Sequence, residues 1–288
     1  MEKNISLECA KPHARCIPET ISDYIYNGIV KIIIGTSHGT GFFIIITENS
    51  KTYKFLLSCE HVIPKEIIDK KVTISLLYGK FKNEKKFEIK LDNKERYIKS
   101  FKQIDITMIE ILEKDYIPEN KFLIIDRNYL NGYVLYQDKS IYLAGYPNNM
   151  NGVRCISSGK IEKIEEIKGF DELEGKYFYE FEHSLDTEEG SSGSPICLSD
   201  NRYVIGIHRG SDKINKINYG LFIGGIFDII FDYNLKQNSN NYGLNIYINN
   251  IDINNNNCQA YTNNNNNNYN NNNNNYNNNN NNYKNNNN

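Results

Sequence analysis

Three short segments of this chain carry side chains able to cooperate in nucleophilic catalysis. The sharpest is EEGSSGSPI (188–196), where Gly190, Ser191, Ser192, Gly193 and Ser194 precede Pro195 and an apolar run. A serine nucleophile needs a tight turn of small residues. Its hydroxyl has to face solvent while two backbone amides, here those of Gly190 and Ser192, point at the spot where an oxyanion forms. An ordinary Gly/Ser turn has the same composition, so the segment alone is open to both readings. The second segment, FLLSCEHVI (55–63), is an apolar run ending in His61. Imidazole exchanges protons near neutral pH, although a histidine after a strand is also a common polar exit from a core. Third, QIDITMIEI (103–111) puts Asp105 directly before an alternating apolar run, a place equally suited to a turn or cap aspartate. Together the three say more than they do apart. They occur in the order His, Asp, Ser, with separations of 44 and 87 residues. A carboxylate that orients an imidazole, which in turn activates a hydroxyl, is what these groups do when they meet.

Groups so distant in sequence meet only if the fold between them brings strand ends together. Between about Tyr24 and Leu235 the pattern is strand after strand: 28–34, 40–46, 53–58, 72–78, 86–91 and 106–111, then 140–147, 155–164, 177–183, 194–198, 203–208 and 219–223. These runs are rich in Ile, Tyr, Phe and Val, and polar or Gly-containing turns separate them. Helical periodicity is weak except in GGIFDIIFDYN (224–234). The chain therefore reads as all-β, sandwich or barrel, and its length suits two six-stranded barrels. The expected boundaries are a poorly ordered leader at 1–24 and a folded domain at 25–235. Within the domain, barrel one spans about 25–125, barrel two about 133–223 and the terminal helix 224–234. The tail, 236–288, is expected to be disordered.

The tail stands apart by composition. From Asn254 to Asn288, 26 of 35 positions are Asn, and Tyr269, Tyr276 and Tyr283 recur every seven residues. Asn neither favours helix nor buries apolar surface, so the spacing does not make a coiled coil. Either self-association or a repeat expansion without function fits such a segment. A net charge of −2 gives no reason to expect nucleic acid or an anionic membrane as partner. The polar N-terminus lacks the apolar core of a signal peptide, so the expectation is cytoplasmic. Cys9, Cys16, Cys59, Cys155, Cys197 and Cys258 then read as free thiols rather than a disulfide frame. Cys9, His13 and Cys16 offer three metal donors where a structural zinc wants four, and the plainer reading is a flexible leader without metal. No cofactor is expected.

The region from about Gly28 to Asn234 resembles the trypsin-like serine peptidases, most closely their glutamyl endopeptidase branch, with the Deg/HtrA proteases more distant. The resemblance rests on GTGFFI (39–44), SCEHVI (58–63), DITMIEI (105–111), AGYP (144–147), SSGKI (157–161), the GSSGSP turn, IGIH (205–208) and NYGLFI (218–223). It implies a chymotrypsin-like pair of β-barrels and an endopeptidase working through an acyl-enzyme. His61, Asp105 and Ser192 would form the catalytic triad, and the amides of Gly190 and Ser192 the oxyanion hole. It further implies cleavage after Glu or Gln, with Thr187, His208, Arg209 and Gly210 binding substrate. Read without the resemblance, Thr187 is a loop residue and His208 is packed under the barrel. Three features depart from the family. Ser191 stands where zymogens carry an aspartate, Arg209 where an aromatic is common, and no processing signal is evident after the leader. Two other functions remain compatible with the residues: an inactive module of this fold that binds peptides, and a scaffold acting through the tail. If the thiols are free, dithiothreitol leaves the thermal midpoint unchanged. A large loss of stability on reduction would contradict the reading of the cysteines and of the compartment together.

Overall fold

A computed structural model describes residues 19–35, 37–48, 50–79, 85–150, 153–212 and 214–227. The chain divides into Met1–Leu235 and Lys236–Asn288, and every described residue belongs to the first unit. The Asn-rich tail, Cys258 and the Cys9, His13 and Cys16 group lie outside the described residues, and the expected terminal helix is described only over residues 224–227. No helix among the described residues is long and apolar enough to cross a membrane.

The strands fall into two sheets, as the all-β expectation requires. The first contains β1 (Ile29–Ile34), β2 (Ser37–Glu48), β3 (Lys51–Ser58), β4 (Thr73–Tyr78), β5 (Lys85–Lys90), β6 (Ile98–Phe101), β7 (Ile106–Glu110) and β8 (Leu123–Ile124). Its order is β5-β4-β1-β2-β3-β7-β6, with β8 parallel to β2. This is a half-barrel of eight strands where six were expected, and with the second sheet it is consistent with the chymotrypsin-like all-β fold. Its edge strand β5, KKFEIK, carries three lysines, the kind of charged edge that resists further pairing. The second sheet contains β9 (Ser140–Gly145), β10 (Cys155–Lys168), β11 (Tyr177–His183), β12 (Pro195–Leu198), β13 (Val204–Asp212) and β14 (Ile217–Phe222). These six close into a barrel in the order β10-β11-β14-β13-β12-β9. One apolar cluster runs through both sheets, from Phe42, Ile44 and Leu57 to Tyr142, Ile207 and Leu221.

Two helices were not anticipated. Helix α1 (Glu19–Gly28) precedes β1, and its Ile25 is fully buried. Its Tyr24 hydroxyl accepts a hydrogen bond from the Ile124 amide, and Leu123 leaves no room for a side chain on Gly28, so the helix end sits against β8. Helix α2 (Lys65–Asp69) follows the segment that carries His61.

Asp105 lies in the connection between β6 and β7, and the far end of that hairpin is clamped. Arg96, before β6, forms a bidentate pair with Asp115, at 2.7 and 2.9 Å, and its guanidinium also donates to the Glu110 carbonyl at 2.9 Å. Both charged side chains are nearly inaccessible, at 2% and 5% exposure. Removing one partner of such a pair strands the other charge in the interior. Arg96→Ala is therefore expected to cost about 3–5 kcal/mol of stability in denaturant titrations. An unchanged midpoint would mean that the clamp does not hold the hairpin.

Candidate active site

Strand β3 ends at Ser58, and the chain then turns on the Cys59 carbonyl, which accepts hydrogen bonds from the amides of Val62 and Ile63. His61 stands on this turn. Asp105 caps a short 3-10 turn just before β7 in the left-handed conformation, φ 52° and ψ 48°, which aspartate tolerates better than most side chains. One carboxylate oxygen accepts the His61 amide at 3.0 Å, and the other accepts Nδ1–H at 2.8 Å. With both oxygens engaged the ring cannot swing, and Nε2 is the nitrogen left for other work. Asp105 is mostly buried, whereas half of the His61 side chain is accessible. The hydrogen bond that His61 donates to Asp105 raises the His61 pKa, against a smaller opposing effect of burial. Because the folded-state value is the higher, the couple contributes fully to stability below the ordinary histidine value. That contribution fades as pH climbs through the raised one.

Cys59 lies beneath this couple. Its Sγ and donor atoms of His61 and Asp105 all lie within 4.8 Å of one another, a set of types that can ligate zinc. The thiol is fully buried, however, and burial pushes its pKa well up. It donates to the His208 carbonyl at 3.3 Å, so it stands as a protonated thiol rather than a thiolate ligand.

The Gly/Ser turn is built from backbone hydrogen bonds. Ser191 N donates to Glu188 O, Ser194 N to Ser191 O, and Gly193 N to His208 O, at 2.9, 3.0 and 2.9 Å. Gly190 and Gly193 have φ of 92° and 85°, which only glycine adopts freely. Among the described residues, the amides of Gly190 and Ser192 meet no acceptor. The carbonyls preceding them are held elsewhere: Glu189 O accepts from Asn148 N at 2.7 Å, and Ser191 O from Ser194 N. In a trans peptide the amide points opposite its carbonyl, so both free N–H groups are turned away from these anchors. Ser191 and Ser194 are buried, and Ser192 is partly accessible. No hydrogen bond joins the Ser192 hydroxyl to His61 among the described residues. Apo structures often leave such contacts long. What brings the two segments together is the His208 carbonyl, which receives both Gly193 N and the Cys59 thiol.

The expected substrate-binding residues have partners that the sequence did not reveal. The Thr187 hydroxyl donates to Asn218 Oδ1 at 2.7 Å, and Asn218 Nδ2 donates to Leu185 O at 2.8 Å. His208 is only 2% exposed, and its Nδ1 lies 3.2 Å from Nε2 of His183, also buried. Burial lowers the His208 pKa to about 4 and the His183 pKa well below the ordinary value. No hydrogen bond joins Thr187 to His208 among the described residues. A β-bulge between His208 and Gly210 leaves Arg209 out of register with β14, and its guanidinium pairs with Glu180 on β11. Asp105, Glu180, Arg209 and Gly210 line one open depression of about 290 Å³ with Ser211, Asp212 and Tyr219.

A family model described as a trypsin-like peptidase domain matches residues 39–207. The chain is also similar to solved structures of Rv3671c from M. tuberculosis H37Rv. To a mutant in the inactive form it is 17% identical, covering 79% of this chain and 97% of that one, with a TM-score of 0.55. To the active form of that protease it is 16% identical, covering 76% and 91%, with a TM-score of 0.52. At these identities the likeness is one of fold. No curated protein matches.

The Asp105–His61 couple yields a direct titration test. Asp105→Asn removes the charge that favours imidazolium, so His61 should titrate at lower pH in the variant than in the natural chain, as read by NMR of the ring nitrogens. An unshifted titration would mean that the carboxylate does not govern His61.

Proposed function

The chain belongs to the family of trypsin-like peptidase domains, and on that premise we propose that it is a serine endopeptidase with Ser192, His61 and Asp105 as its catalytic triad. The observation that carries this is the meeting at one carbonyl, His208 O, of the turn bearing Ser192 and the segment bearing the Asp105-held imidazole. Ser192 Oγ attacks the peptide carbonyl carbon while its proton passes to His61 Nε2. The carbonyl electron pair moves onto oxygen, which the amides of Gly190 and Ser192 receive, an effect of about 2.7–4 kcal/mol for each donor where it has been measured. Collapse breaks the C–N bond, and His61 returns the proton to the leaving amine. A water deprotonated by the same nitrogen then hydrolyses the acyl-serine. Asp105 holds the ring and stabilises its cationic form throughout.

The reading extends to the residue before the cut, which we assign to the glutamyl endopeptidase type of pocket with a preference for Gln over Glu. Proton order supports Gln. Leu185 N donates to His183 Nδ1, so His183 carries its proton on Nε2 and gives it to His208 Nδ1. His208 is then a neutral ring with its own proton on Nε2; the Tyr219 backbone is a further hydrogen-bond partner of this ring, so a substrate side-chain carbonyl would have to compete with it for the proton. The Thr187 proton is committed to Asn218, which leaves the Thr187 oxygen as an acceptor. A primary amide supplies the carbonyl for one and the N–H for the other. A carboxylate has no proton for Thr187 and would be buried beside an uncharged imidazole. Arg209, already paired with Glu180, has little charge left to attract acidic residues elsewhere in the substrate. The reading also keeps the chain in a reducing compartment, supported by free buried thiols at Cys59 and Cys197.

A peptide-library profile tests both parts. Cleavage should follow Gln, with Glu second, and the preference should hold from pH 8 down to pH 5, since His208 protonates only near pH 4. Ser192→Ala should abolish it. Cleavage after Lys, Arg or aromatic residues would remove the pocket assignment, and activity retained in Ser192→Ala would remove the nucleophile.

A further inference from the structure

Thr40 belongs to the first sheet, in β2 opposite Lys31 of β1, yet most of its polar contacts are with the other half of the molecule. It is completely buried. Its Oγ1 accepts the Tyr146 amide at 3.0 Å and donates to the Gly190 carbonyl at 2.9 Å. Its backbone N–H donates to the Ser192 carbonyl at 2.9 Å, and its own carbonyl accepts the Ser58 hydroxyl at 2.7 Å.

Each carbonyl from Glu189 to Ser192 is anchored. Asn148 N holds the first, Thr40 Oγ1 the second, Ser194 N the third and Thr40 N the fourth. A peptide unit is rigid, so anchoring its carbonyl fixes the direction of the following amide. The two free amides belong to the first and third units. Thr40 holds the second and fourth, which flank the amide of Ser192 on both sides. The second unit sits directly between the two free amides and hinges on Gly190, a glycine at φ 92° with few steric limits of its own.

We propose that the Thr40 hydroxyl is a positioning group for the oxyanion-binding turn, setting the relative direction of the Gly190 and Ser192 amides. This rests on the assignment of Ser192 as nucleophile. Thr40 touches no reacting atom; it acts through the Gly190 carbonyl. Without the hydroxyl, the unit between the two amides keeps only the bond from Ser191 N to Glu188 O; its carbonyl end is released, the unit can tilt about Gly190, and the amides converge less well. Ground-state binding of substrate, which does not require convergence, is unaffected.

The test uses the full chain with an alkyl fluorophosphonate, separating the inactivation rate constant from the affinity of the initial complex. Thr40→Val keeps the shape and removes the hydroxyl. Its rate constant should fall about 10–100-fold, approaching the loss of one oxyanion donor, with the affinity unchanged. Thr40→Ser should restore the rate close to the natural one. A natural chain that does not react overturns the Ser192 assignment and this role with it. If the natural chain reacts and Thr40→Val reacts equally fast, or loses only affinity, the role of Thr40 alone is overturned. Should Thr40→Val fail to fold, Thr40→Cys, a weak donor of similar size, replaces it and should be slower than Thr40→Ser. Equal rates for these two also overturn the role.

Discussion

The carbonyl oxygen of Thr40 occupies the space that a side chain on Gly193 would need, since a Cβ there would lie 2.0 Å away. Much of the site depends on that approach. Because Gly193 carries no side chain, the Gly/Ser turn of the barrel presses directly onto β2 of the half-barrel, and Thr40 N reaches Ser192 O. The same position lets Gly193 N reach the His208 carbonyl, the atom on which Cys59 also converges from the segment of His61. Two sheets whose contact points lie about 150 residues apart in sequence are thereby held by one backbone hydrogen bond and by the buried side chains of Thr40 and Cys59. Bonds of this kind fix geometry to fractions of an ångström, which is the tolerance that proton transfer and oxyanion binding demand.

The two histidines at the site are tuned in opposite directions. His61 is half accessible and faces a carboxylate, so its cationic form is favoured. His208 is shut away beside another imidazole, so its neutral form is favoured. Neighbouring titratable groups driven apart in this way can take distinct roles, one moving protons and the other presenting a fixed one. His183 and Asn218 are the hydrogen-bond partners beside them, at His208 Nδ1 and at the Thr187 hydroxyl.

Much of this was legible in the sequence. The strands were readable from runs of Ile, Phe and Tyr, whereas the segments of Ser192, His61 and Asp105 were each ambiguous by local rules and stood out through their order and the family resemblance. The His61–Asp105 contact needed only that the two segments adjoin. What stayed hidden depends on three-dimensional neighbours. His183 closes an alternating strand and looks like a polar exit, although its ring turns inward to His208. Asn218 and Thr40 sit on strands where small polar residues carry no local signal. Strands β6 and β8, of four and two residues, are too short for periodicity to mark, and the helical spacing of α1 covers few turns. The open half-barrel follows from pairings that composition does not specify.

The central claim is that Ser192, activated by His61, is the nucleophile. Labelling the chain with a fluorophosphonate and mapping the adduct by mass spectrometry tests it most directly. The account predicts one phosphonyl group, on Ser192 and on neither Ser191 nor Ser194, and its disappearance in His61→Ala. An adduct on another residue, or labelling undiminished in His61→Ala, would contradict it.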